Sequence, residues 1–249
     1  MKHIASRDNP FVKTLRKLAA GAGRRGESVL LDGVHLCQAW LAHYGAPRQA
    51  VFDVDKLARP ELQDLAAQLP EAACVALDGR LMRELASVES GQGVIFVVQP
   101  PEPAMPERIA ETCVLFDRIQ DPGNVGTLLR TCAAACVRRV FLATGTAAAW
   151  SAKVLRSGQG AHFALSIHEH QDLLALLPRL EVPLVATALD GAVDLYARPL
   201  PPRCAWVFGH EGQGVAPELL AAAGLRLRIP HDAQAVESLN VTAAAAICL

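Results

Sequence analysis

The second half of the chain contains five short runs that are apolar almost without interruption: "CVLFDRI" from 113, "RRVFLAT" from 138, "VPLVATAL" from 182, "CAWVFG" from 204 and "LRLRIP" from 225. A strand with one wet face alternates apolar and polar residues, whereas a strand apolar on both faces must be covered on both. Stretches of helical period lie between most of these runs. Few architectures meet both demands, and a parallel sheet with helices on its two faces is the obvious one. The fold class is therefore α/β. In such sheets, ligands bind at the carboxyl ends of the strands, where the connecting loops gather.

The first hundred residues carry a second, smaller α/β pattern. "PFVKTLRKLAA" places Phe11, Leu15 and Leu18 at helical spacing with basic residues between them. Strand-like "SVLLDG", "QAVFDV", "ACVALD" and "GVIFVVQ" alternate with helix-like "VHLCQAWLAHYG", "PELQDLAAQL" and "GRLMRELASV". Residues 99–107, "QPPEPAMPE", hold four prolines in nine positions, a composition that favours an extended, semi-rigid linker. The organisation read from this is an N-terminal domain over 1–99, a linker over 100–107 and a second domain over 108–249.

Hydrophobic residues make up 51% of the 249, enough to build real cores and to argue against disorder. The net charge of −1 hides an asymmetry, because residues 1–30 hold seven basic side chains against two acidic ones. That arm is a candidate phosphate-contacting surface, with Lys13, Arg16, Lys17, Arg24 and Arg25 as its candidate contact residues; a solvated helix face is the plain alternative. The cysteine count of seven is odd, no CxxC occurs, and most cysteines lie in apolar runs. They read as small core residues of a reducing compartment, and Cys132 and Cys136 lack a nearby histidine or acid that would complete a metal set. No metal is expected. No apolar leader and no uninterrupted run of about 20 apolar residues occurs, so the expected location is cytoplasmic, with no membrane partner.

"GAGRRG", residues 21–26, matches a dinucleotide-loop spacing, but a basic helix precedes it and a strand follows, the reverse of what that fingerprint needs. Three other loops carry more. "LFDRIQDPGNVGTLLRT" passes from strand through a tight turn into a helix whose free N–H groups would favour an anion. Arg130 stands in that helix among Leu128, Leu129, Cys132 and alanines, so it must either reach solvent or meet an anion. "WVFGHEGQGV" ends a buried strand in three glycines around Glu211, where a backbone can bend tightly and approach a ligand. "RIPHDAQAVESLNVTAAAA" leaves a strand through Pro230 and enters an alanine-rich helix past Ser238 and Asn240, both cap-type residues. Each loop alone is also explained by ordinary turn and cap chemistry.

Taken together, "NVGTLLRT", "FGHEGQG" and "IPHDAQAVESLNV" resemble the three motifs of the SpoU (TrmH-like) family of RNA ribose 2′-O-methyltransferases, over about residues 114–249. "SRDNPFVKTLRKLAAGAGRR" and "VLLDGVHLCQAWL" resemble the substrate-binding domain that many of these enzymes carry, itself similar to small ribosomal RNA-binding proteins. The third motif departs from the family pattern, with His231 and Ala233 where methionine and glycine are usual. The resemblance implies a trefoil knot near the C-terminus, S-adenosyl-L-methionine as cofactor, and a homodimer formed through the C-terminal domain with each site completed across the interface.

The resemblance also implies site roles, carried over position by position. Asn124, Arg130, Glu211, Ser238 and Asn240 are the implied catalytic residues. Thr187, Gly209, Glu211, Gly212, Ile229, Ser238, Leu239 and Asn240 are the implied cofactor-binding residues, Thr187 resting only on its place at a strand's carboxyl end. Arg130 joins Lys13, Arg16, Lys17, Arg24 and Arg25 as the implied RNA-binding set. A guanidinium is a poor proton acceptor, so Arg130 is expected to stay cationic, bind an RNA phosphate and stabilise a developing alkoxide. The extra N-terminal domain favours 23S rRNA over tRNA as substrate. The alternatives are the same chemistry on tRNA, a silent RNA-binding adaptor of the same fold, and an enzyme acting on a small nucleotide-like metabolite.

Overall fold

The computed structural model describes residues 1–21, 26–86, 91–189 and 191–249. The chain divides into two compact units, Met1–Pro101 with Trp150–Phe163, and Glu102–Ala149 with Ala164–Leu249.

The first unit is built on strands β1 (Lys2–Ile4), β2 (Val29–Asp32), β3 (Gln49–Asp53), β4 (Cys74–Leu77) and β5 (Val94–Val98) and helices α1 (Pro10–Ala20), α2 (Val34–Tyr44), α3 (Pro60–Ala67) and α4 (Gly79–Leu85). Its sheet has the order β1-β4-β3-β5-β2 and is mixed: β4 runs parallel to β1 and β3, while β5 runs antiparallel to β3 and β2. Helix α1 starts where Asn9 accepts the Phe11 N–H and Pro10 supplies a preset first turn. The residues it buries are Val12 and Leu15, with Phe11 and Leu18 only partly covered. Phe11, Leu15 and Leu18 all pack on this core as their spacing predicts, and Val12 joins them as a fully buried member.

One element of this unit comes from far along the chain. Helix α6 (Ala152–Gly158) and its flanks bury Trp150, Val154, Leu155 and Phe163. The rings of Trp40 and Phe163 meet edge to face with centroids 5.7 Å apart, and His35 Nε2 lies 3.4 Å from the Gln159 carbonyl. Residues 150–163 therefore fold with the first unit, an excursion that the simple order of domain, linker and domain did not foresee. Their apolar run fits either unit by pattern alone.

The second unit contains β6 (Cys113–Asp117), α5 (Pro122–Ala134), β7 (Arg139–Ala143), β8 (Ser166–Gln171), α7 (Leu173–Leu176), β9 (Leu184–Thr187), β10 (Val193–Asp194), β11 (Ala205–Gly209), α8 (Pro217–Ala222), β12 (Leu225–Arg228) and α9 (Val241–Cys248). All seven strands are parallel, in the order β10-β12-β9-β11-β6-β7-β8. Every residue of β6 and β11 is buried, as their unbroken apolar runs require. The chain lays down β6, β7 and β8 in one direction, then returns to β9 and fills the remaining place with β11. The reversal puts the loops after β6, β11 and β9 side by side, where open α/β sheets bind their ligands.

The proline-rich stretch is partly fastened. Met105 packs on the core of the second unit, and Arg179 donates to the Pro106 carbonyl at 2.8 Å. All seven cysteines are free. Cys132 is buried in α5, but Cys136 is exposed beyond the helix end with φ 61°, so the two do not share a helix face as their spacing suggested. No helix of the described residues is long and apolar enough to cross a membrane, and no group of three or more potential metal ligands occurs among them.

Candidate active site

The site begins at the end of β6. The chain turns at Arg118, which adopts φ 60°, and enters α5 already at Pro122, so Gly123 and Asn124 belong to the helix rather than to the tight turn before it. Asp121 caps the helix, accepting the Asn124 N–H at 2.9 Å. Three further donors at this terminus meet a carboxylate from across the sheet. Glu211 Oε2 accepts the Gln120 N–H at 3.1 Å, and its Oε1 accepts the Asp121 N–H and Asn124 Nδ2, both at 3.0 Å. The anion favoured by this helix start is thus supplied by the protein itself. Partial burial works to raise the Glu211 pKa, but the bonds from Asn124 and from the two backbone N–H groups prevail and hold it below its usual value.

Glu211 reaches that position because β11 ends in a turn that only glycine permits. A Cβ on Gly209 would lie 2.2 Å from the carbonyl carbon of Gly214 and from the Val215 nitrogen, and Gly214 has φ +69°. The Gly214 N–H returns to the His210 carbonyl at 2.8 Å. The His210 ring takes part as well: its Nδ1 accepts the N–H of Gly212 at 2.9 Å and of Gln213 at 3.2 Å. Beneath the turn, the buried carboxylate of Asp117 accepts the Ala216 N–H at 2.7 Å and pairs with Arg118 Nε at 2.8 Å. Arg118 then donates to Gln213 Oε1 at 3.0 Å. The bond to Asp117 raises the Arg118 pKa further. Asp117, Arg118, His210 and Gln213 were not picked out from sequence; a carboxylate closing a fully apolar strand was the one signal that could have marked Asp117.

The third loop closes on the other two. Asn240 caps α9, accepting the Thr242 N–H at 2.8 Å, while its Nδ2 donates to Asn124 Oδ1 at 3.3 Å. Helix α9 packs along α5. Asn124 is therefore held at both ends of its amide, by Glu211 and by Asn240, which fixes which end carries the oxygen. The two nitrogens of His231 lie 2.9 Å from the Ile229 carbonyl and 3.3 Å from the Glu237 carbonyl, so this side chain, which replaces the family's methionine, ties the loop's two ends together.

The structure brings Asn124, Glu211 and Asn240 into one hydrogen-bonded cluster. Gly209 and Gly212 lie in the turn that carries Glu211, and Thr187 and Ile229 lie at the carboxyl ends of β9 and β12 beside it. Ser238 is exposed and Leu239 half-buried, on the approach to α9. Arg130 is exposed on α5 and, among the described residues, forms no ion pair or hydrogen bond. It snorkels outward and is not joined to the Asn124 cluster. Of the proposed RNA-contacting residues in the first unit, Lys13 pairs with Asp8 at 3.3 Å and Arg16 with Glu84 at 2.6 Å, while Lys17 is exposed. Arg24 and Arg25 lie outside the described residues, as does most of "GAGRRG".

Residues 111–249 match the family described as SpoU rRNA Methylase. The chain belongs to the SpoU family. It is 33% identical over 251 residues to the 23S rRNA (guanosine(2553)-2′-O)-methyltransferase RlmP of Bacillus subtilis, across 99% of this chain and 97% of that one. It is 32% identical over 253 residues to an uncharacterized tRNA/rRNA methyltransferase of Synechocystis, across 99% and 91% of the two chains. An AdoMet-bound rRNA methyltransferase from Sinorhizobium meliloti superimposes with a TM-score of 0.86 at 26% identity, covering 99% of this chain and 95% of that one. As a SpoU enzyme the protein is a methyltransferase that draws its methyl group from S-adenosylmethionine. The residues present fit that cofactor. Glycine at 209 lets the turn close on its own backbone at Gly214 and Val215, and the half-buried Thr187 and Ile229 stand at the ends of β9 and β12 on the same carboxyl edge of the sheet.

Proposed function

We propose that this SpoU enzyme methylates a ribose 2′-hydroxyl of 23S rRNA, working as a cytoplasmic homodimer, with the roles given below for its own residues. The observation that carries the reading is the Asn124–Glu211–Asn240 cluster, which ties the three loops together across 87 and 116 positions of sequence. Turn and cap chemistry explains each loop singly but gives no reason for them to share an asparagine.

S-adenosylmethionine, when bound, offers a methyl group on a positively charged sulfonium, so the protein's task is to place an oxygen and make it nucleophilic. Thr187, Gly209, Gly212, Ile229, Ser238 and Leu239 hold the cofactor, mostly through backbone groups. Asn124 spends one amide hydrogen on Glu211 and one lone pair on Asn240, and keeps one of each for the ribose. Glu211 organises both the turn and the α5 terminus. Ser238, exposed two residues before Asn240, supplies a hydroxyl on the approach to α9. Arg130, unpaired and fully cationic at working pH, grips the phosphate next to the reacting sugar and stabilises the forming alkoxide.

Arg130's distance from the cluster gives the homodimer its role. The exposed faces of α5 and α9 carry Thr127, Arg130, Ala134, Ala243, Ala246 and Ile247, mostly small side chains that allow close helix packing. A second copy seated there delivers its own Arg130 to this site. The trefoil knot of the family belongs to the same reading, supported by the return of the chain from β12 to pack α9 on α5 and β11. The two domains, joined near residues 100–107, divide the work, with Lys17 and its basic neighbours contacting RNA phosphates.

Ribose-methylation mapping of total RNA, with and without the protein, tests this directly. One lost methylation in 23S rRNA is the expected result. A lost methylation in transfer RNA would move the substrate while keeping the chemistry, and an unchanged map together with no calorimetric binding of S-adenosylmethionine would indicate an adaptor.

A further inference from the structure

The geometry points to the neutral imidazole of His210 as the positioning residue that sets the Gly209–Gly214 turn, and with it Glu211, so that protonating this ring releases the turn and lowers methyl transfer. This rests on the assignment of the turn to the methyl-transfer site.

Nδ1 of His210 faces two backbone donors, the N–H groups of Gly212 and Gln213 at 2.9 and 3.2 Å. A nitrogen that accepts two N–H bonds cannot carry a hydrogen of its own, so the ring is the tautomer protonated at Nε2. An imidazolium has hydrogens on both nitrogens. Adding that proton removes both bonds and sets three donors against one another inside one turn. Among the described residues neither amide has another hydrogen-bond partner; the adjoining bond, Gly214 N–H to the His210 carbonyl, holds the far end of the turn. The segment so released carries Glu211, whose carboxylate spans Gln120, Asp121 and Asn124.

The charged groups around the turn come from four elements. Glu211 lies on the turn itself and is engaged with α5. Arg118 and Asp117, at the end of β6, pair with each other, and Arg118 also holds the Gln213 side chain. Glu218, in the first turn of α8, acts on Arg118. His231 in the third loop has the opposite requirement: its ring lies between two carbonyl oxygens and can donate to both only when protonated. The loss predicted here belongs to His210 alone.

The test uses the whole chain and three forms, wild type, H210A and H210N. Asparagine can accept from backbone N–H groups two and three residues on, as Nδ1 does here, and does not titrate. Three readouts are taken between about pH 5 and 8, the range in which imidazoles change charge. They are kcat/KM on unmodified 23S rRNA, the affinity for S-adenosylhomocysteine by calorimetry, and the ¹⁵N shifts of the His210 ring with the amides of Gly212 and Gln213. H210A is expected to lose about tenfold or more in kcat/KM at neutral pH, the scale of two lost hydrogen bonds. Wild type is expected to lose activity toward acid, and H210N to recover most of the H210A loss and to flatten that acid limb. The ring should show hydrogen at Nε2 only, with both amides shifting as it is protonated.

An acid limb unchanged in H210N, full activity in H210A, or a hydrogen at Nδ1 at neutral pH would overturn the proposal. The spectra report the turn whether or not RNA is methylated. If they match while neither variant moves rate or cofactor affinity, the assignment of the turn to the site fails, and the proposal with it.

Discussion

Arg130 and Glu211 are opposite solutions to placing a charge near a site. Glu211 spends its charge internally, on three N–H donors. Its carboxylate is held below the ordinary value near 4.5, so the stability it adds is present above that pH and lost as pH falls through the lowered folded value. Glu211→Gln should therefore unfold more easily than wild type at neutral pH, with the gap closing in acid; chemical denaturation at several pH values measures this. Arg130 is exposed, and in the proposed mechanism its charge meets the RNA. Arg130→Lys preserves the charge but not the planar fork, so kcat should fall ~100-fold while S-adenosylmethionine affinity, read by calorimetry, stays unchanged. Sequence marked both residues as site candidates. It could not show that the helix terminus expected to receive an outside anion was already filled by Glu211.

At the scale of elements, strands inside a sheet were easy to recognise, whereas of the four edge strands only the apolar β2 was. The three strands absent from the sequence reading, β1, β8 and β10, all lie at sheet edges. An edge strand packs on fewer neighbours, so it can be short, as β10 is, or polar, as "SIHEHQ" is, and it leaves little apolar signal. The glycine turn after β11 was legible for the converse reason: few sequences tolerate so tight a return. Gly209→Ala should cost more than ~2 kcal/mol, since its Cβ would sit 2.2 Å from backbone that cannot move aside. Thermal unfolding should show Tm lowered by at least about 4 °C, with cofactor binding lost in the same variant.

At the scale of the whole molecule, the second unit presents the hydrogen-bonded Asn124–Glu211–Asn240 cluster at the start of α5 and the exposed Arg130 further along the same helix. If two copies share their sites, Arg130→Ala and Asn240→Ala, each inactive alone, should complement when co-expressed. Half of a random mixture is mixed dimer with one intact site, so activity should return to about a quarter of wild type. Assay of the purified mixed dimer checks this, and no recovery would place Arg130 in the site of its own chain.

The sequence by itself determined the parallel sheet, the glycine turn, the helix caps and the family, because hydrophobic period and backbone sterics act over a few residues. Only the tertiary structure decided that Glu211 and Asn240 converge on Asn124, and that residues 150–163 fold with the first unit. Those outcomes depend on which distant segments come to lie side by side, and a hydrogen bond spanning 87 positions leaves no periodic trace in either partner's neighbourhood.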